Sequence, residues 1–450
     1  MINSDSVLTA LRVVIDPDFQ KDIVTLGFIK DLVIQDGRVS FKIELTTPAC
    51  PIRDQFHDLA EQAVRRLSGV KDVQITMTAQ ERAPRRLAHG SGLAQTATIL
   101  AVTSCKGGVG KSTVAAMLAV NLARRGHRVG MLDADIFGPS APTLFNLHDP
   151  ELRNTTDGYL IPKRWEENLQ IMSFGFLLGD KPAVMRGPMV SNVVQQLLHQ
   201  VEWGPLDYLI IDFPPGTGDI QLTLSQSVQI DAAVIVTTPH ELSLTDVRKG
   251  IMMFDKVDVP VIGVIENMAY FECDGCGKRH EIFGPAGGET LHERFGLETL
   301  AVLPIRPAIS GRLELIATAP EAAAATDTVI RALGRQALIR PERPQAKATP
   351  THIELHWGDG RVERVPNRAL RLACSCALCV DEMSRKSVLD PATVPDDIHA
   401  TELWTIGNYA LGVVWSDGHS TGYFPFQTIE ALVAETGKQF TTISAKQAPI

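Results

Sequence analysis

The stretch that decides the fold of this chain is the loop Lys106-Gly107-Gly108-Val109-Gly110-Lys111-Ser112-Thr113. It follows an apolar run typical of a buried strand and precedes a helical pattern. Glycines let the backbone curl so that its N–H groups point at phosphate oxygens, and the helix N-terminus adds positive potential. The motif therefore predicts a P-loop, with Lys111 placed for the β- and γ-phosphates and the Ser112 hydroxyl for Mg²⁺. Cys105 stands where the ordinary pattern has its first glycine, and Lys106 is an added lysine.

Around this loop, from about residue 96 to 338, apolar strands alternate with helices. The predicted strands are 98–103, 128–132, 208–211, 232–237 and 261–265. Such alternation is typical of an α/β fold whose mostly parallel sheet is covered by helices on both faces.

Composition divides the chain into three predicted domains joined by two linkers. The predicted segments are a small α/β domain at 1–80, a linker at 81–95, the P-loop domain at 96–338, a Pro-rich linker at 339–350 and a small α+β domain at 351–440. In the first domain, strands 30–35 and 38–45 flank Asp36-Gly37, which is a strong signal for a hairpin.

The overall composition narrows the class of protein. With 44% hydrophobic and 21% charged residues the chain is typical of a globular protein, and its formal net charge of -9 argues against nucleic acid as a main partner. No apolar run approaches the roughly 18 residues that span a bilayer. We expect no signal peptide and no membrane partner. Five of the seven cysteines are grouped as a pair and a cluster of three, which in a cytoplasmic chain indicates metal more often than disulfides.

Acidic residues end two of the predicted strands beside the P-loop. Asp212 follows strand 208–211, where a carboxylate can hold the Mg²⁺ shell. Asp133 and Asp135 follow strand 128–132, and one of the two is expected to orient the attacking water. The alternative for a lone Asp at a strand end is a turn former or helix cap. Residues 214–219 suit a switch loop that senses the γ-phosphate.

A pair of cysteines, Cys273 and Cys276, follows strand 261–265 and the segment 268–272. Both a [4Fe–4S] cluster and an all-Cys zinc site need four cysteines, so one chain supplies half of either. A symmetric dimer with facing pairs would complete the set. The alternatives are a redox disulfide, a zinc site completed elsewhere in the chain, or no ligand at all.

The third domain contains Cys374, Cys376 and Cys379 within six residues. Local packing hardly explains three thiols at this density, which favours a metal site. A closed site needs a fourth ligand, and His419 is the best candidate.

Three motifs resemble the Mrp/ApbC family of P-loop ATPases with a deviant Walker A loop. They are the loop 106–113, Asp133-Ala134-Asp135-Ile136-Phe137-Gly138-Pro139-Ser140, and residues 212–219. The resemblance implies a SIMIBI-like P-loop NTPase fold, slow ATP hydrolysis, and a homodimer that carries a [4Fe–4S] cluster to apoproteins.

The same resemblance implies roles for single residues. Lys106 would act in trans on the nucleotide of the partner subunit, whereas Lys111 and Ser112 would act in cis. Asp135 would act on the water and Asp212 on the magnesium shell. Asn267 matches a position that contacts adenine, although a polar cap at a strand end is an equal alternative. Cys273 and Cys276 match the pair that holds the cluster.

Both flanking domains also resemble known modules. Leu26-Gly27 and residues 46–51 are similar to the PaaD/SufT-like domain linked to iron–sulfur assembly, and Cys50 lies at its motif cysteine. Since Cys50 precedes a helix start, either a lowered pKa with a transient ligand role or a small space-filling residue is expected. Residues 374–379 and His419 resemble the zinc-binding N-terminal domain of gamma-butyrobetaine dioxygenases. The catalytic domain of those enzymes is absent from the sequence, so the resemblance implies zinc binding without oxygenase activity.

Two alternative functions stay open at this point. A ParA/MinD-like positioning ATPase would share the P-loop but would have no use for Cys273 and Cys276. A non-catalytic scaffold would dock cluster-assembly factors through the flanking domains, with low or absent ATP turnover.

Overall fold

The computed structural model of the chain describes most of its residues. They are 2–47, 49–79, 92–148, 152–178, 193–194, 196–216, 218–239, 241–273, 275–284, 292, 296–306, 313–338, 344–357, 360–376, 378–380, 386–406, 410–420, 422–426 and 428–434. The chain forms two compact units. The first comprises Met1–Thr103, Gly110–Ala232 and Arg306–Ile339, and the second Ser104–Val109, Ala233–Ile305 and Arg340–Ile450.

Helices and strands alternate along much of the chain. The helices are α1 (Ser4–Leu11), α2 (Arg53–Arg65), α3 (Lys111–Arg124), α4 (Ala141–Leu144), α5 (Phe174–Leu178), α6 (Asp219–Ser227), α7 (Glu241–Asp255), α8 (Leu313–Thr318), α9 (Pro320–Leu338) and α10 (Asn367–Leu372). The strands are β1 (Ile15–Asp16), β2 (Lys21–Asp22), β3 (Ile29–Gln35), β4 (Arg38–Leu45), β5 (Asp72–Ala79), β6 (Thr96–Thr103), β7 (Val129–Asp133), β8 (Lys163–Glu166), β9 (Leu169–Ser173), β10 (Leu206–Asp212), β11 (Ala232–Thr237), β12 (Val261–Glu272), β13 (Arg279–His280), β14 (Thr299–Ile305), β15 (Gln345–Ala348), β16 (His352–His356), β17 (Val362–Pro366), β18 (Ala400–Ile406), β19 (Ala410–Trp415) and β20 (Tyr423–Pro425).

The N-terminal part of the first unit is a three-stranded sheet in the order β3-β4-β5, packed with α1 and α2. Strand β4 pairs antiparallel with β3 and parallel with β5. Asp36 and Gly37 both have positive φ, 52° and 84°, as the turn of a tight hairpin requires. The hairpin predicted at these two residues is therefore confirmed.

The rest of the first unit contains strands in the order β6-β10-β7-β9-β8, all parallel except the β8–β9 pair. Strand β7 has no charged residue before its final Asp133, β10 is apolar from Tyr208 to Ile211 before its final Asp212, and both strands are almost wholly buried, which is typical of parallel strands covered on both faces. Because the strands are parallel, the carboxyl ends of β6, β7 and β10 lie at the same edge of the sheet. Asp212 ends β10 at this edge, and Asp135 follows the end of β7.

The second unit contains strands in the order β13-β12-β11, with β14 also paired to β12. Strand β12 is parallel to β11 and β14 and antiparallel to β13. It is longer than the strand predicted at 261–265. A shift in its register with β14 falls between Glu266 and Tyr270, where Met268 has a φ of 57°. Two three-stranded antiparallel sheets, β15-β16-β17 and β18-β19-β20, form the C-terminal part.

The α/β architecture with a mostly parallel sheet is confirmed. All five strands predicted for the P-loop domain are present, whereas β8, β9, β13 and β14 were missed. Among the described residues, no helix has both the length and the apolar character needed to cross a membrane.

Candidate functional site

The P-loop connects β6 to α3. Gly108 and Gly110 both have a φ of 82°, a left-handed conformation that glycine adopts without strain. A Cβ placed on Gly107 or Gly108 would meet no atom within 4 Å, so the backbone of the loop borders open space. Gly110 precedes the first turn of α3, whose N–H groups have no partners within the helix. These features are those of a phosphate cradle.

The ammonium group of Lys111 lies in a buried polar cluster. It donates hydrogen bonds to Asp212 Oδ1 and, at 3.2 Å, to the Ser112 hydroxyl. Asp212 is fully buried, and its Oδ2 has no hydrogen-bond partner among the described residues. Burial raises the pKa of Asp212 against the opposing attraction of Lys111. A carboxylate oxygen left over beside a hydroxyl is the donor set that Mg²⁺ prefers, so these residues fit the ion.

The two aspartates that follow β7 differ in their surroundings. Asp133 is fully buried, and its two oxygens accept hydrogen bonds from four donors, namely the backbone N–H groups of Asp135, Ser140 and Ala141 and the hydroxyl of Ser173. Among the described residues, the donors to Asp135 are the N–H groups of Phe137 and Gly138, and both bond to Oδ1. Of the two aspartates, Asp135 is the one whose Oδ2 accepts no hydrogen bond from the described residues and could therefore contact a water molecule.

The second unit contains the start of the P-loop. Lys106, the first residue of the loop motif, is exposed. A methyl group on Gly250 of α7 would lie 2.7 Å from Cys105 Sγ, so the glycine in this helix makes room for the cysteine that replaces the usual loop glycine. Asn267 of β12 donates a hydrogen bond from Nδ2 to the carbonyl oxygen of Val109 at 2.9 Å. Strand β12 is thereby joined to the P-loop.

Cys273 follows β12 directly, and together with Cys276 it forms the turn between β12 and β13. The turn is closed by two backbone hydrogen bonds, from Gly277 N to Cys273 O at 2.8 Å and from Cys273 N to Lys278 O at 3.0 Å. Gly277 has a φ of 68°. Cys273 is partly buried and Cys276 is exposed. The backbone of this hairpin is set by its own hydrogen bonds, and it presents two thiols at the surface.

In the C-terminal part of the second unit the four predicted metal ligands lie together. One ligand atom from each of Cys374, Cys376, Cys379 and His419 lies within 4.8 Å of the other three. The three sulfurs are 3.2, 3.5 and 3.8 Å from His419 Nε2. Tetrahedral zinc with usual bond lengths separates a sulfur and a nitrogen ligand by about 3.6 Å. The arrangement therefore fits Zn²⁺.

The charges around this cluster also fit a cation. The neighbouring thiol of Cys376 and burial raise the pKa of Cys374, and burial raises that of Cys379. Three packed thiols cannot all ionise unless a cation compensates them. Arg371 of α10 is buried and donates to Cys379 Sγ at 3.4 Å and to Asp417 at 2.8 Å. Asp417 in turn accepts from the backbone N–H of His419.

The expectation of a lowered pKa for Cys50 is wrong. Burial raises the pKa of this thiol to about 11. Cys50 lines a small cavity together with Asp16, Asp18 and residues of α9. Arg331 of α9 forms an ion pair with Asp18 at 2.8 Å. Residues remote in sequence thus cover the thiol and outweigh the effect of the nearby helix start.

Three residues of these sites were missed by sequence reasoning. Ser173 donates to Asp133, and Arg371 contacts both Cys379 and Asp417. Gln221 is buried, and its side-chain amide donates to the carbonyl oxygens of Pro214 and Pro215 in the predicted switch loop. None of them belongs to a motif, so only their three-dimensional contacts identify them.

Comparison with known families agrees with this geometry. The family model described as NUBPL iron-transfer P-loop NTPase matches residues 95–333, which is more than half of the chain. This chain belongs to the iron-transfer P-loop NTPase family. Two further models flank this iron-transfer NTPase region: iron-sulfur cluster assembly protein at residues 4–77 and gamma-butyrobetaine hydroxylase-like, N-terminal at residues 345–430.

Two curated relatives of this iron-transfer NTPase cover 95% and 72% of its length. It is 43% identical to the chloroplastic Fe-S cluster assembly factor of Arabidopsis thaliana, over 95% of this chain and 83% of that protein. It is 43% identical to the iron-sulfur cluster carrier protein of Synechocystis sp., over 72% of this chain and 94% of the carrier. A solved nucleotide-binding protein from Archaeoglobus fulgidus, in complex with ADP, is 39% identical over 51% of this chain and 92% of its own, with a TM-score of 0.46.

These matches confirm the three resemblances recognised in the sequence. The family is that of the Mrp/ApbC-type P-loop NTPases, with a domain of the iron–sulfur assembly type before it and a gamma-butyrobetaine hydroxylase-like module after it. The domain boundaries at 80, 96, 338 and 351 and the roles of single residues remain predictions.

Proposed function

We propose that this iron-transfer NTPase is an ATP-binding and ATP-hydrolysing carrier of [4Fe–4S] clusters. Two copies would hold one cluster through Cys273 and Cys276 and transfer it to apoproteins. The observation that carries the proposal is the course of β12. This strand is hydrogen-bonded to the P-loop through Asn267 and leads directly into the cysteine hairpin.

The homodimer follows from the number of ligands. A [4Fe–4S] cluster needs four cysteine ligands, and the hairpin offers two. A two-fold axis through the cluster would bring the second pair from the other copy. The exposed position of Lys106 supports the same assembly, because this lysine would reach the partner's nucleotide.

The nucleotide would bind along the P-loop. The backbone N–H groups of 107–113 and the Lys111 ammonium would contact the phosphates, and Asn267 the adenine. Ser112 and Asp212 would hold Mg²⁺, which neutralises phosphate charge. Asp135 would orient the water.

Strand β12 would couple the nucleotide to the cluster. Cys273 is the sixth residue after Asn267, which corresponds to a distance of about 20 Å in an extended strand. The bulge at Met268 lies between the two and places a non-glycine residue at a φ of 57°, an arrangement that concentrates bending at one point. Rearrangement of the P-loop would therefore change the orientation of the cysteine hairpin.

The flanking modules would serve stability and docking. We propose that Cys374, Cys376, Cys379 and His419 bind Zn²⁺ as a structural site, and that both flanking modules contact apo iron–sulfur proteins and cluster-assembly factors. None of the seven cysteines, all of which lie in the described part of the chain, forms a disulfide. Reduced cysteines suit a reducing compartment, and we propose the cytoplasm.

Anaerobic reconstitution with iron and sulfide tests the proposal. The wild-type chain should acquire about one cluster per two chains and sediment as a dimer. Cys273→Ala and Cys276→Ala should each lose the brown chromophore and the dimer, while the matched control Cys50→Ala retains both. Equal chromophore in all four proteins, or a wild-type chain that stays monomeric with iron and ATP, would refute the carrier mechanism.

The variant Lys111→Ala tests nucleotide binding separately from cluster binding. This substitution should abolish nucleotide binding while cluster reconstitution continues, because Lys111 is remote in sequence from the hairpin and contacts Asp212 and Ser112. Loss of both properties together would instead indicate a folding defect.

A further inference from the structure

Asp133 is a buried carboxylate that the proposed chemistry leaves without a role. It is the last residue of β7 and has no exposed surface. Burying a carboxylate costs several kcal/mol unless its oxygens are hydrogen-bonded. Both oxygens of Asp133 are hydrogen-bonded. Its Oδ1 accepts from Asp135 N at 3.2 Å, and its Oδ2 accepts from Ser140 N, Ala141 N and Ser173 Oγ at 2.9, 2.9 and 3.0 Å.

Three of these four donors lie on one loop. The segment 135–141 runs from just after β7 to the first residue of α4, and Asp133 is bonded to the first residue of this loop segment and to its last two. Asp135 is bonded within the same loop to Phe137 N at 3.2 Å and Gly138 N at 3.1 Å. The position of Asp135 therefore depends on a backbone path that Asp133 holds at both ends.

Burial and charged neighbours change the pKa of Asp133. Burial first, and then the charge of Asp212, raise the pKa of Asp133 to about 7, while Lys111 acts in the opposite direction. Both oxygens of Asp133 already accept hydrogen bonds, from the loop and from Ser173. It is thus unsuited to orient the water itself.

We infer that Asp133 is a positioning residue for ATP hydrolysis: its carboxylate fixes the loop 135–141 so that Asp135 faces the γ-phosphate. The inference rests on the proposed function, which gives Asp135 the attacking water. Ser173 supports Asp133 from β9 and is bonded in turn by Gly175 N at 3.0 Å.

Asp133→Asn is the direct test, because asparagine keeps the shape but turns one acceptor oxygen into an amide donor. We expect kcat for ATP to fall about 100-fold, as for a displaced catalytic group, while the KM for ATP stays within about twofold. Ser173→Ala removes one of the four donors and should lower kcat less, by about threefold, with KM again unchanged. Asp135→Asn serves as the reference for complete loss of the water contact.

Hydrogen exchange supplies a readout that does not need turnover. In Asp133→Asn the backbone amides of Ser140 and Ala141 should exchange at least about tenfold faster than in wild type, whereas in Asp135→Asn they should not change. Wild-type exchange at these amides in both Asp133→Asn and Ser173→Ala, or an unchanged kcat in both, would overturn the inference. An inactive wild-type protein whose Asp133→Asn variant still loosens the two amides would refute ATP hydrolysis but leave the positioning contact supported.

Discussion

The molecule contains two cysteine regions that differ in how completely one chain surrounds a metal. Cys374 and Cys379 are 3% and 2% exposed and belong to the hydrophobic core of the C-terminal module. With Cys376 and His419 they form a set of four ligands. Cys276, by contrast, is exposed on a hairpin that supplies two thiols. A complete and buried ligand set retains its metal, whereas a half set at the surface can pass it on.

The local structures explain this difference. The cysteines of the C-terminal module pack against Trp415 and Phe424, so their metal would be part of the fold. The hairpin of Cys273 is held by backbone hydrogen bonds and by Arg279, whose guanidinium carbon lies 4.5 Å from the centre of the Tyr270 ring. The C-terminal site is therefore expected to be structural and the hairpin site functional.

The largest effect should come from removing a ligand of the buried set. Cys374→Ser should lose zinc and destabilise the C-terminal module by more than about 3 kcal/mol, because metal binding there is part of folding. Zinc content and hydrogen exchange of residues 345–434 measure both consequences. The matched substitution Cys276→Ser should alter neither. Retained zinc with unchanged exchange in Cys374→Ser would remove the distinction between the two regions.

A smaller effect is expected in the rate at which thiols are alkylated. The two thiols to compare are the exposed Cys276 and the covered Cys50. Because the pKa of Cys50 is raised to about 11, only about one in a thousand of these thiols is ionised at pH 8. Iodoacetamide should thus alkylate exposed Cys276 at least about 100-fold faster than Cys50 at pH 8. The rate at Cys50 should rise about tenfold per pH unit between pH 8 and 10, since the ionised fraction grows with pH below the pKa. Peptide mapping by mass spectrometry measures both rates.

Unfolding the chain in guanidinium is the control for that comparison. Once the residues that cover Cys50 are removed, the two cysteines should react at similar rates. Fast labelling of Cys50 in the folded protein would mean that its thiol is accessible and would restore a ligand role for it.

The smallest expected effect concerns the net charge of the proposed zinc site formed by Cys374, Cys376, Cys379 and His419. Three thiolates and one Zn²⁺ carry a net charge of about -1, which the guanidinium of Arg371 offsets. Arg371→Met should therefore weaken zinc binding about tenfold, as measured by competition with a chromophoric chelator. Arg371→Lys keeps the positive charge, so its zinc affinity should fall by less than that of Arg371→Met. Equal affinity in wild type and Arg371→Met would show that the arginine serves packing alone.

Several elements were predictable because their signals are local. The P-loop at 106–113 depends on glycines and a helix start that adjoin in sequence, and the Asp36-Gly37 turn depends on two residues with positive φ. Strand β9, with five residues between a turn and helix α5, was missed because its partner β7 lies about 40 residues earlier. Its Ser173 was consequently missed as a partner of Asp133.

The sequence alone determined the family, the α/β fold, the nucleotide loop and the grouping of the cysteines, since each depends on residue types at short spacing. Tertiary structure decided which of Asp133 and Asp135 has a free oxygen, that Cys50 is covered by α9, and that Arg371 reaches Cys379. The physical reason is that burial and hydrogen-bond partners come from segments that are distant in the chain. Protonation and accessibility depend on those neighbours, and a linear motif does not contain them.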